Sequence, residues 1–252
     1  MRPTALVTGA GVRVGRAIAL ELGAHGFDVA VHYRSSADRA QEVVDALRRQ
    51  GSDGFSVQAD LERLDGVRSL ARAICERWGA LHVLVHNASI FYPVPVEDID
   101  EPEWDRMLGV NLKAPFFLTQ ALLPLLRAAD GALVGAPPGQ HGLVVHLCDI
   151  GAERPVSRHA HYSVSKAGLV MLVKALAVEL GPAVRSVGIS PGQVAWPEGY
   201  DEQLRDRITR RIPLRRVGSP DDVARLVRFL ALEGHYVHGA VLPVDGGLAT
   251  RY

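Results

Sequence analysis

The sequence is short of cysteine, of net charge and of long apolar runs. Its two cysteines, Cys75 and Cys148, form no C-x-x-C pair, and no metal-ligand set with histidine surrounds them. That excludes a disulfide scaffold and gives no zinc pattern. Cys75 falls in a helical pattern and is expected in the core, and a reducing, cytoplasmic setting fits. The 28 basic residues equal the 28 acidic ones, so the formal charge is zero. Nothing in that balance points to nucleic acid or an acidic membrane surface as a partner. No apolar stretch reaches membrane-spanning length, and the chain enters a strand-like run without a signal-peptide pattern. No metal is expected.

What is present is a regular alternation. Hydrophobic residues make up 48% of the 252, ample for a core. Strand-like runs are expected at about 4–8, 28–33, 54–58, 81–86, 142–148, 185–190 and 239–244. Amphipathic stretches such as AQEVVDALRRQ and GVRSLARAICERWG separate them. Strand and helix in alternation predict an α/β fold: a doubly wound parallel sheet of about seven strands with helices on both faces. No repeat or linker divides the chain, so residues 1–252 read as one domain. Two segments break the rhythm, a Gly/Pro-rich excursion at 130–142 and a longer one at 196–214.

The first run, TALVT, opens into Gly9, Ala10, Gly11, Val12, Arg13, Val14, Gly15 and then a helical stretch. A strand, a glycine-rich turn and a helix N-terminus form an anion site, because free backbone N–H groups and the helix dipole face a phosphate. Farther along, Tyr162 and Lys166 stand four apart, which places both on one helix face. An ammonium beside a phenol favours the phenolate, so Lys166 is expected to lower the Tyr162 pKa and ready it for proton transfer. The second strand-like run ends His32, Tyr33, Arg34, Ser35, Ser36, without the carboxylate that usually holds the ribose hydroxyls of NAD. A guanidinium and two hydroxyls suit a 2′-phosphate instead, which favours NADPH.

Taken in order, T-G-x-x-x-R-x-G, Asn87-Ala88, Tyr162/Lys166 and the closing Val244-Asp245-Gly246-Gly247 resemble the short-chain dehydrogenase/reductase family over nearly the whole chain. The resemblance implies a nicotinamide dinucleotide held by Gly9, Arg13, Val14 and Gly15, with Asp60 and Leu61 flanking the adenine. Asn87, Ala88 and Ser89 would run along it, Tyr162 and Lys166 would contact it, and Pro191 and Gly192 would lie near the nicotinamide amide. Asn111 matches the position that supports the lysine through water. Residues 193–214 correspond to the loop covering the substrate, and relatives commonly form homotetramers through two long helices.

Thirteen residues before Tyr162 stands Asp149, where most relatives carry serine. A carboxylate there would repel a developing oxyanion and better suits an N–H-rich ring or a proton relay. With Arg13, HYRSS, the segment Asn87–Pro93 and the run Pro191–Glu198, the chain resembles the pteridine reductases of the bacterial branch. That resemblance implies reduction of a dihydropterin or dihydrofolate. Phe91 would stack on the pterin, with Arg13 and Ser89 on its polar atoms. Asp149, Tyr162 and Lys166 would deliver the proton, and Trp196 would form a wall. His86 departs from the asparagine of many relatives, and His159 and His161 read as structural or solvent-facing. A carbonyl reductase of unassigned substrate and a non-catalytic NADP(H)-binding regulator are the competing readings.

Overall fold

The computed structural model describes residues 2–129, 135–196, 199 and 201–250. The strands are β1 (Thr4–Val7), β2 (Asp28–Tyr33), β3 (Phe55–Gln58), β4 (Val83–His86), β5 (Gly142–Leu147), β6 (Val184–Pro191) and β7 (Val241–Val244). All pair in parallel in the order β3-β2-β1-β4-β5-β6-β7. Every expected strand is present. The excursion expected at 130–142 is only partly visible, because 130–134 lie outside the described residues. Pro197 and Glu198 lie outside them too.

The helices are α1 (Arg13–Ala24), α2 (Ala37–Arg49), α3 (Leu64–Arg77), α4 (Glu101–Leu108), α5 (Ala114–Arg127), α6 (Ala160–Leu180), α7 (Glu202–Arg211) and α8 (Pro220–Leu232). Because successive strand residues face opposite sides, a strand buried on both faces serves two cores. Ala5 and Val7 pack with Val83, Val85 and Val145 against α1, α2 and α8. Leu6, Leu84 and Val144 point the other way, onto α3, α5 and the end of α6. One residue of slip would exchange the two sets.

The chain reverses direction across the sheet between β1 and β4. Ligands of such sheets sit outside the carboxyl ends of the strands at that switch point, where the loops diverge and leave a crevice. Between α4 and α5 a π-helical turn, Gly109–Lys113, carries Asn111 into the interior. The extra residue in the turn re-aims the side chain, as such bulges do at functional sites. Among the described residues no helix is long and apolar enough to cross a membrane.

Cys75 departs from expectation. It is exposed on the outer face of α3, while Val67, Leu70, Ala71 and Ile74 supply that helix's buried stripe. Cys148 is buried, and burial pushes its thiol up to about 12. Neither the geometry nor the ionisation of Cys148 equips it as a nucleophile.

Candidate active site

A cavity of about 590 Å³ opens at the β1/β4 switch point. Gly9, Arg13, Val14 and Gly15 line one wall, with Arg34 and Ser35 at one end and Asn87, Ala88 and Ser89 along the floor. His32, Tyr33, Asp60 and Leu61 complete it. The turn is held open by its neighbours. Gly9 has φ +64, where a side chain would be strained, and a Cβ on Gly15 would run into the Gly9 carbonyl and the Asn87 amide. Asn87 donates from Nδ2 to the carbonyls of Thr8 (2.8 Å) and Gly9 (3.1 Å). The Thr8 hydroxyl accepts from the backbone N–H of Asn87 (2.9 Å) and Ala88 (3.0 Å). Helix α1 has no side-chain cap and no acidic residue in its first turn. Its leading N–H groups are therefore available to a diphosphate. The donor set fits a dinucleotide. At the adenosine end Arg34, Ser35, Ser36 and Arg39 line the wall.

His32 behaves differently from the contact residue expected. Its ring is buried, with Nδ1 accepting from the Gly9 N–H at 3.0 Å and Nε2 facing the Ala59 carbonyl at 3.1 Å. Those partners require the neutral tautomer that carries its proton on Nε2. Burial pulls its pKa down to about 4. His32 therefore positions the phosphate turn against the end of β3. Ser36 lines the wall beside Ser35, as the two hydroxyls at the strand end suggest, whereas Arg39 and the structural role of Thr8 are not evident from the sequence. Arg39 sits one turn into α2, a spacing that could have marked it.

The second half of the site lies between β5 and α6. Asp149 caps a short 3-10 turn, Ile150–Ala152, with Oδ1 accepting from the Gly151 N–H at 2.6 Å. Its Oδ2 accepts from the Tyr162 hydroxyl at 2.9 Å. Lys166 is buried, and its ammonium donates to the Leu147 carbonyl at 2.8 Å while lying 5.7 Å from the Tyr162 ring centroid. The expected lowering of the Tyr162 pKa is overturned. Burial, and then the Asp149 carboxylate, raise it well above its ordinary value. Lys166 is spent on a carbonyl, and the carboxylate at hydrogen-bonding distance outweighs it. Burial also pulls the Lys166 pKa down, opposed by Asp149.

Asn111 ties the two halves together. Its Oδ1 accepts from the Ser89 hydroxyl (3.1 Å) and the Ile90 N–H (2.9 Å). Its Nδ2 donates to the Ile90 carbonyl and to Ser165 Oγ, both at 3.1 Å. Ser89 is thereby committed to Asn111, and the direct partner of Asn111 on α6 is Ser165, beside Lys166.

Phe91 is 47% exposed at the mouth of this half, edge-on to Tyr162 with centroids 4.7 Å apart. One of its faces is covered by His159, stacked at 4.3 Å. His159 and His161 are both buried, so neither faces solvent as one of the two expectations had it. His161 meets the Tyr92 ring edge-on at 5.7 Å, and Tyr92 donates to Glu103 at 2.7 Å. Trp196 packs under the Arg205 guanidinium at 5.7 Å, which anchors the loop after β6 to α7. Pro191 ends β6, and the N–H of Gly192, the next residue, is bonded to the Val244 carbonyl at 3.0 Å. His86 stacks on His146 at 4.9 Å beneath the site and meets Thr119 at 2.8 Å.

Comparison with known proteins agrees with this architecture. Residues 9–249 match the enoyl-(acyl carrier protein) reductase family. The 3-oxoacyl-[acyl-carrier-protein] reductase FabG of Staphylococcus epidermidis is 33% identical, over 98% of this chain and 99% of its own. The trihydroxynaphthalene reductase PfmaI of Pestalotiopsis fici is 34% identical, over 96% of this chain and 88% of its own. A solved structure from Sinorhizobium meliloti, assigned as a short-chain alcohol dehydrogenase, superposes with a TM-score of 0.89 at 30% identity. That superposition covers 99% of this chain and 97% of the other. With its parallel seven-stranded sheet, glycine-rich turn and Tyr162/Lys166 pair, the chain belongs to the short-chain dehydrogenase/reductase family.

Proposed function

We propose that this oxidoreductase uses NADPH to reduce a ring C=N bond of a dihydropterin or dihydrofolate. The observation carrying the reading is the Tyr162–Asp149 hydrogen bond. A family member that reduces ketones needs hydrogen-bond donors around the carbonyl oxygen, because negative charge develops there. A carboxylate beside the phenol would oppose that charge. The same carboxylate accepts readily from ring N–H and amino groups, of which a pterin has several. The dinucleotide, when bound, supplies the hydride.

The chain's residues then have distinct tasks. Arg34 and Arg39 face the 2′-phosphate. Gly9, Arg13, Val14 and Gly15 bring N–H groups and charge to the diphosphate. Tyr162 carries its proton at neutral pH, since its pKa is raised, and it serves as an acid, the role reduction requires. Asp149 orients that hydroxyl and holds the substrate's N–H edge. Lys166 places its amino group behind the phenol, held by the Leu147 carbonyl. Phe91 offers its uncovered face to the flat ring, with His159 fixing the other.

The second reading is reduction of a carbonyl, such as a ketoacyl or hydroxylated aromatic substrate. The names of the similar curated proteins, a 3-oxoacyl-[acyl-carrier-protein] reductase and a trihydroxynaphthalene reductase, favour this reading over pterin reduction. Assays of NADPH consumption with 7,8-dihydrobiopterin, 7,8-dihydrofolate and a panel of ketones decide between the two. The first reading requires pterin turnover, lost in Asp149→Ser. Inert pterins beside a rapidly reduced ketone would overturn it and leave the carbonyl reading.

We also propose a homotetramer. On α6, Val164, Met171 and Val178 recur at seven-residue intervals and are 46%, 62% and 83% exposed, with Phe116 on α5 also uncovered. An apolar stripe of that kind is the surface expected of an interface. Sedimentation velocity should show one species of four chains, and Val178→Glu should shift it to smaller ones.

A further inference from the structure

A second cavity, of about 740 Å³, is lined by Ile150, the residue after Asp149, and by residues of α7. Ile150, Val156 and Leu248 supply its apolar lining. The rest of the lining is charged. Arg207, Arg210 and Arg211 project from one face of α7, at i, i+3 and i+4, and Arg154 comes from the chain after the 3-10 turn. Among the described residues of the lining the one carboxylate is Asp206, which pairs with Arg210 at 2.7 Å. Arg154 donates to the Ala249 carbonyl at 2.6 Å, which fixes its guanidinium at the cavity wall. Neither Arg207 nor Arg211 has an ion-pair partner among the described residues.

Basic residues in the last turn of a helix are favoured by the helix dipole, which accounts for Arg210 and Arg211. It does not account for Arg207, one turn earlier on the same face. Guanidinium groups gathered around one cleft repel one another unless an anion joins them. We propose that this cleft seats an anionic group, carboxylate or phosphate, on the arm of the substrate remote from the reacting bond. The proposal rests on the reductase reading for the identity of the ligand as substrate. The cavity is large enough for such an arm, and its apolar lining residues would cover the linker. Guanidinium forks bind carboxylate and phosphate alike, so the geometry names the charge and leaves the two sources to experiment.

Two measurements on the full chain test this. In the first, protein saturated with NADP⁺, so that the dinucleotide cavity is filled, is titrated calorimetrically with tripolyphosphate and with tricarballylate. Binding of at least one is expected, and Arg207→Ala/Arg211→Ala should weaken it at least tenfold. No binding to the unmodified protein, or equal binding by the variant, overturns the proposal. The preferred probe tells phosphate from carboxylate. In the second, KM is compared within substrate pairs that differ in charge: 7,8-dihydrofolate against 7,8-dihydrobiopterin, and acetoacetyl-CoA against its uncharged N-acetylcysteamine thioester. The double variant should raise KM about tenfold for the charged member of the active pair and leave the neutral one unchanged. An equal change in both members counts against the cleft. If every substrate is inert while tripolyphosphate or tricarballylate binding still needs the arginines, the anion site stands and the reductase reading falls.

Discussion

The Tyr162 hydroxyl donates to Asp149 Oδ2 at 2.9 Å, while Asp149 Oδ1 is held by the Gly151 N–H at 2.6 Å. The carboxylate is therefore fixed by backbone, and the phenol is fixed by the carboxylate. Tyr162→Phe keeps the ring and deletes the proton. It should lower kcat at least about 10²-fold, the range of lost acid–base assistance, with dinucleotide binding unchanged. Stopped-flow turnover alongside fluorescence titration of NADPH checks both halves. A variant with near-normal kcat removes Tyr162 from the mechanism.

Cofactor preference should reside in Arg34 and Arg39, the guanidinium groups at the adenosine end of the cavity. The unmodified enzyme should prefer NADPH. Each single change to alanine should weaken NADPH by about 1.5–3 kcal/mol, the value of a hydrogen bond to a charged group, and leave NADH nearly unaffected. Dissociation constants for the two dinucleotides provide the comparison. Equal use of both by the unmodified enzyme contradicts the assignment.

Acid stability should follow the buried neutral histidines. His32 has its pKa lowered to about 4 and His146 to about 3, in both cases mainly by burial, against 6.5 for the free side chain. Between those values and 6.5 the unfolded chain binds more protons, so stability falls as pH falls through that window. Each histidine contributes a slope of up to about 1.4 kcal/mol per pH unit. Both ring nitrogens of His146 are buried without a hydrogen-bond partner. His146→Leu should therefore flatten the dependence by about one proton and cost little at pH 7.5. Urea midpoints from pH 7.5 to 4.5 measure it, and an unchanged slope refutes it.

Arg185 on β6 is 2% exposed and donates to the carbonyls of Leu230 (2.8 Å), Gly234 (2.9 Å) and Val237 (3.3 Å). It closes the C-terminal end of α8, whose last carbonyls have no helical partner. Arg185→Met keeps much of the volume and strands these acceptors. It should cost about 3 kcal/mol of stability, since buried groups left unpaired lose their full desolvation energy. Chemical denaturation reads the loss, and a change under about 0.5 kcal/mol would show that water replaces the guanidinium.

Local pattern was enough for most of the elements and their order. Continuous apolar runs and 3.6-residue stripes arise within short windows, so β1 through β7 and helices such as α2, α3 and α6 were legible without coordinates, whereas α7 lies in a stretch, 196–214, that reads as an irregular excursion. So was the glycine turn at Gly9 and Gly15, because its demands concern backbone that is close in sequence. The pairing of Tyr162 with Lys166 on α6 followed from helical spacing. What those side chains do to one another did not follow, because ionisation depends on desolvation and on neighbours brought from elsewhere in the chain. Asp149, at the end of β5, reaches Tyr162 across the loop into α6 and reverses the expected sign of its pKa shift. The ring of His32 turns inward to hold Gly9, since β2 lies beside β1. Arg39 joins the adenosine wall, Cys75 turns outward, and Arg154 meets Arg207 across a cleft. Each of those outcomes depends on packing between segments distant in sequence. The sequence alone determined the strands and the strongly periodic helices, whereas the assembled sheet decided which face each side chain presents and what charge it carries.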